Sequence, residues 1–184
     1  KVLLALTAIF VVALGLVFFV LPAQLEKRLN VSLNPAPYQA SQRAVELHKK
    51  LLISDLHADS LLWDRDLLER GARGHVDIPR LIEGNVALQA FTVVTKTPYV
   101  WNMNIERNDD SGDNITLVAL IERWPVSTWN SRTERALYQA RKLYEVEARS
   151  GGRFAIIRTS ADLSSYLERR IGEPGITAGF LGIE

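Results

Sequence analysis

A chain of 184 residues is long enough for one domain with a sizeable core, and its formal charge of +1 offers no electrostatic case for a nucleic-acid partner. Cysteine is absent, which excludes disulfides and thiolate metal sites, so any metal must be held by His, Asp or Glu.

The chain opens on VLLALTAIFVVALGLVFFVL, residues 2–21, in which Thr7 is the only polar side chain. At a rise of about 1.5 Å per residue this stretch spans roughly the ~30 Å hydrocarbon layer of a bilayer. A secretory signal has a shorter apolar centre, usually about 7–15 residues. A buried core helix normally keeps a polar face. A single-pass membrane anchor over residues 1–23 is therefore expected, with a long signal peptide as the competing reading. Pro22 ends the apolar run, and Glu26, Lys27 and Arg28 form its polar flank. One N-terminal anchor followed by a soluble domain most often places that domain outside the cytoplasm. Residues 24–42 include NVSLNPAPYQAS and read as a linker, and residues 43–184 as the domain.

Ser41 is the expected cap of a helix through Lys50, with His48 late in it, where a solvated or dipole contact suits it better than metal ligation. Leu51–Leu56 reads as a short buried strand. HVDIPRLIEGN (75–85) predicts a short helix from Pro79 to Gly84, and Val86–Thr95 a second strand rich in β-branched and aromatic residues. Residues 96–113 read as a polar loop. Its acids Asp109, Asp110 and Asp113 lack the spacing of a calcium-binding loop. Residues 114–149 are expected to be mostly helical with a break near Pro125. Then come a third strand (Arg153–Thr159), a helix capped by Ser160 and a fourth strand (Ile176–Glu184). Strands separated by helices predict an α/β fold with a parallel sheet.

The chemistry concentrates in LLISDLHADS, residues 51–60. Alternation along a strand lets Asp55, His57 and Asp59 project to one side, and imidazole and carboxylate two residues apart can share one cation. His57 and Asp59 lie at the strand's C-terminal end, where open-sheet and barrel enzymes build their sites. Glu184 closes another apolar strand in the same way, and a carboxylate there is costly unless paired or metal-bound. Read as Asp55-x-His57, the motif would open a metallophosphoesterase. The continuation fails: Gly112-Asp113-Asn114-Ile115-Thr116 has Thr where an Asp is needed, and Gly84-Asn85 is followed by Val86 and comes too early.

Three ordered segments, DLHADSLLW (55–63), HVDIPRLIEGNVALQAF (75–91) and ITAGFLGIE (176–184), together resemble the membrane dipeptidase (renal dipeptidase) family of zinc peptidases. The resemblance covers about residues 45–184. It implies the N-terminal part of a (β/α)8 TIM-type barrel, preceded here by a single transmembrane helix, and a centre of two divalent ions, zinc above all. His57 and Asp59 would bind the first ion and Glu184 would bridge both, with a dipeptide as substrate and two-metal logic for its hydrolysis. Asp55 would be a supporting carboxylate, and His75 a surface or capping residue. The family's catalytic residues and remaining ligands would lie beyond Glu184. A chain that starts at Lys1 and stops inside an expected strand reads as a piece of a longer protein, and residues 1–184 alone are expected to be inactive. A homodimer is compatible with this reading. Two other classes stay open: another metal-dependent hydrolase, such as a phosphoesterase or deaminase, and a non-catalytic anchored binding protein on the same scaffold.

Overall fold

A computed structural model describes residues 1–31, 33, 37–98 and 112–184. Its first 28-residue helix, Val2–Leu29, comprises α1 (Val2–Gly15), a π-helical stretch (Leu16–Val20) and α2 (Leu21–Leu29). No side chain of α1 is buried, so the helix is not part of a core. Pro22 ends the apolar run but not the helix. It sits in the first turn of α2, directly after the wide π stretch, and the Phe18 carbonyl four residues earlier, which its missing N–H cannot reach, accepts from Arg123 instead. The linker expected from residue 24 therefore begins later, and Glu26, on the helix, is buried against the globular part.

Helix α3 (Gln42–Lys50) is capped as expected, with the Ser41 hydroxyl accepting from the Ala44 N–H. Strand β1 (Ile53–Ala58) starts later than read and is not buried: Leu51, Leu52 and Leu56 are exposed. The reason is its place at the sheet edge, where β2 is its only partner strand among the described residues. A 3-10 turn (Ser60–Leu62) leads to α4 (Ile78–Glu83), whose N-cap is Asp77. The fully buried Asp77 carboxylate accepts from the N–H groups of Arg80 and Gly71 and pairs with the Arg80 guanidinium, which also holds the Gly71 carbonyl. The D-I-P-R-L segment is thus a closed knot that aims the chain into β2 (Val86–Val93).

Asp113 caps α5 (Asn114–Ile121), and Ser131 caps α6 (Arg132–Arg149) after a turn through Arg123, at φ 58°, and Pro125. The expected break near Pro125 is where these helices part. Strand β3 (Phe154–Ile156) is shorter than read, and the cap of α7 (Ser160–Gly172) is Thr159, one residue earlier than expected. Asp162 reciprocates in a capping box, accepting from the Thr159 N–H. Strand β4 (Thr177–Ile183) completes the set.

All four strands are parallel, in the order β1-β2-β4-β3. The architecture is the expected α/β class with a parallel sheet and a preceding apolar helix. The short β3 lies outside β4 and pairs only with Thr177–Gly179, so Phe180–Ile183 is bordered by a strand on the β2 side alone among the described residues. On one face of β2, Phe91 and Val93 join Leu61, Ile78, Leu81, Leu143 and Phe154 under α4 and α6. On the other, Leu88 meets Ala178, Ile176 and Tyr166 of α7. Phe91 packs edge-to-face on Phe154 at 5.8 Å, and a Cβ on Gly179 would come within 2.8 Å of its ring. Full burial of such a ring is worth roughly 1.5–3 kcal/mol. Because the strands run parallel, the C-terminal ends of β1, β2 and β4 share one rim, which carries the candidate site.

Candidate metal centre

Two strand ends build the cluster. His57 is the penultimate residue of β1 and Asp59 follows it at the 3-10 turn, while Glu184 follows β4. The Glu184 backbone continues the ladder: its N–H donates to the Val93 carbonyl at 3.2 Å, and its carbonyl accepts from the N–H and hydroxyl of Thr95, both at 3.0 Å. The carboxylate is therefore aimed by sheet geometry.

His57 Nε2 lies 3.3 Å from Asp59 Oδ1 and 3.6 Å from Glu184 Oε1. One ligand atom from each of the three lies within 4.8 Å of the others. Ligand atoms about 2.0–2.2 Å from a common tetrahedral ion stand roughly 3.4 Å apart, so the spacing fits a single divalent cation with a coordination position left open. The donor set of one imidazole and two carboxylates suits zinc, manganese or iron. Burial, and then the neighbouring Asp59 carboxylate, push the Glu184 carboxyl above its ordinary range, with His57 pulling the other way. Two facing carboxylates are relieved by positive charge between them, which is what a bound cation provides.

Two neighbours steady the ligands. The Thr92 hydroxyl of β2 donates to Asp59 Oδ1, the oxygen that faces His57. Asp55 does not join the cluster. Its Oδ1 accepts from the His57 backbone N–H at 3.1 Å, fixing the irregular end of β1, in keeping with the supporting role expected of it. Gln89 is fully buried and donates to the Ala90 carbonyl at 3.0 Å and, across the strands, to the Asp55 carbonyl at 3.4 Å. Lys142 of α6 donates to the carbonyls of Leu61 and Trp63 at 2.8 and 2.6 Å, clamping the turn that follows Asp59.

The cluster opens on two clefts. One, of about 330 Å³, is lined by Asn30, Asp55, Trp63, Arg65 and His75 together with His57 and Asp59. The other, of about 410 Å³, is lined by Leu62, Val94 and Pro98 beside Glu184. His75 is exposed, as expected, yet it borders the first cleft. Among the acids of the polar loop, Asp109 and Asp110 lie outside the described residues. Asp113 is committed to its cap and to Arg135. His48 is exposed on α3.

Thr92, Lys142 and Asn30 escape sequence reasoning, because a lone Thr, Lys or Asn carries no spacing signal. Only for Gln89 was there a hint, as part of the Gln89-Ala90-Phe91 match.

No family model matches the chain, and no curated protein matches it. Solved structures do. One is a dipeptidase described as a metallo peptidase of family M19, 22% identical with a TM-score of 0.46, matched over 73% of this chain and 35% of that one. Another is a metallo peptidase from Rhodobacter sphaeroides liganded with a phosphinate mimic of the dipeptide L-Ala-D-Ala, 23% identical with a TM-score of 0.47, over 73% of this chain and 38% of that one. The alignments thus span little more than a third of the length of either structure.

Proposed function

We propose that residues 1–184 belong to a membrane-anchored, zinc-dependent dipeptidase built on a (β/α)8 barrel. Residues 1–23 would form the anchor and residues 43–184 the first part of the barrel domain. His57 and Asp59 would hold the first of two divalent ions, and Glu184 would bridge to the second. The observation that carries the metal reading is the convergence of Glu184, remote in sequence, on His57 at 3.6 Å and thus on the His57–Asp59 pair at 3.3 Å, on one rim of a parallel sheet. The dipeptide reading rests on the resemblance of residues 55–63, 75–91 and 176–184 to the membrane dipeptidases.

A divalent ion at this position supplies Lewis-acid polarisation of a carbonyl and an activated water. The chain's own residues do the rest. Thr92 fixes the Asp59 carboxylate, Asp55 fixes the His57 backbone, and the cleft lined by Arg65 and His75 offers room beside the ligands for a small peptide.

Zinc titrated into the full chain, followed calorimetrically, should bind with one equivalent. His57→Ala or Glu184→Gln should weaken it by at least about tenfold. Failure of zinc and manganese to bind sinks the metal reading. The substrate reading is tested separately on the complete protein, against dipeptides, phosphodiesters and aminopurines. Only dipeptide hydrolysis should appear, and His57→Ala should abolish it.

A further inference from the structure

The globular part grips the apolar helix at two levels. Near the end of the apolar stretch, Arg123 Nη1 donates to the Phe18 carbonyl at 2.5 Å, and its guanidinium lies 5.2 Å from the Phe19 ring centroid. Further along, the Glu26 carboxylate, its side chain only 4% exposed, pairs with Arg65 at 2.6 Å and with Arg73 at 3.0 Å. Between these two points the helix rises about 12 Å. The segment is therefore seated on the domain, with a cleft of about 180 Å³ bounded by Phe18, Phe19, Pro22, Asp64 and Glu122.

This seating sets where the domain meets the bilayer. When Val2–Leu21 fills the ~30 Å hydrocarbon layer, Phe18 and Phe19 lie about 3–5 Å inside its boundary, and Arg123, which reaches them with its guanidinium, is carried close to the headgroups. The corner around Arg123 is suited to that place. Leu120 and Val126, three residues to either side, are 37% and 71% exposed. The Arg123 side chain is 42% exposed and that of Arg73 40%, and Lys27 and Arg28 close the last turn of α2. The acids nearby are spoken for: Asp64 pairs with Arg123 at 2.9 Å, and Glu122 is buried and accepts from the Asp64 N–H. Long cationic side chains beside exposed apolar ones are the pattern that settles at a phospholipid interface.

We propose that the Leu120–Val126 corner, centred on Arg123, is a second membrane contact, lying against the phospholipid headgroups of the bilayer that the N-terminal helix crosses. The inference rests on the anchor reading above.

The chain has no cysteine, so single labels can be placed cleanly. Full-length chains carrying Phe10→Cys, Val126→Cys or Ile171→Cys, each labelled with an environment-sensitive dye, are reconstituted in phosphatidylcholine–phosphatidylglycerol vesicles with nitroxide at the headgroup or deep in the acyl chain. The Phe10 label should be quenched by the deep nitroxide. The Val126 label should be quenched by the headgroup nitroxide at least about twofold more than the reference at Ile171, and Arg123→Gln should reduce that difference. Quenching at Phe10 without an excess at Val126 overturns the corner contact and leaves the anchor standing. No quenching at Phe10 overturns both. Concentration-dependent cross-linking through Val126→Cys without quenching assigns the corner to a second copy instead.

Discussion

Thr92 and Lys142 show how single side chains set the quality of the cluster. Thr92 commits its hydroxyl to the Asp59 oxygen that faces His57. Thr92→Val keeps the shape and removes the bond, so zinc affinity should fall by about tenfold while Thr92→Ser stays near wild type, as calorimetry will register. Lys142 holds two carbonyls of the turn after Asp59, and burial pulls its ammonium down to about 8, with Asp64 and Glu122 opposing in part. An unfolded lysine titrates near 10.5. Between those values the unfolded chain binds the extra proton, so this group's contribution to stability rises with pH across the window. Relative to Lys142→Met, the wild type should gain up to about 3 kcal/mol between roughly pH 7 and pH 10.5, measured by urea unfolding. A flat difference would show that the ammonium is not held in that environment.

At the scale of elements, the junction of β2, α5 and α6 depends on one arginine. Arg135, only 1% exposed, donates to the carbonyls of Thr95, Thr128 and Trp129, to the Thr116 hydroxyl and to the Asp113 carboxylate. It therefore ties the exit of β2, the cap of α5 and the start of α6 into one unit. Burial alone would raise the Asp113 carboxyl, but the hydrogen bond and charge of Arg135 hold it below its usual value. Arg135→Ala leaves that carboxylate and three carbonyls without their partner and should cost about 3–5 kcal/mol in thermal or urea unfolding. The sequence foresaw helix over this region but neither the Ser131 cap nor this staple, because a charged residue in an amphipathic helix reads as solvated until the facing loop is placed. The same blindness applied to β1. Leu51, Leu52 and Leu56 look like a buried strand in sequence, and only the strand order places them on an edge.

For the molecule as a whole, three ligands and four strands set limits on activity. The described sheet has one partner for β1 and an open side along Phe180–Ile183, and its cluster offers three ligands, enough for one ion. We predict that residues 1–184 alone do not hydrolyse dipeptides with added zinc, and robust metal-dependent turnover by this chain would refute that. The grip of Arg65 and Arg73 on Glu26 also links the apolar N-terminal helix to the site: Arg65 lines the cleft beside His57, as does Asn30, one residue past α2.

Local chemistry was legible before any coordinates. A twenty-residue apolar run, the cap at Ser41, the alternation of helices and strands, and His57 and Asp59 on one strand end all depend on interactions a few residues long, which composition and spacing record. The strand order, the outward position of β3, the meeting of Glu184 with His57 and the seat of Glu26 between two arginines were decided by the tertiary structure. Each joins residues remote along the chain. A carboxylate at a strand end is the same letter whether its partner is water, an arginine or another ligand, and only packing chooses among them.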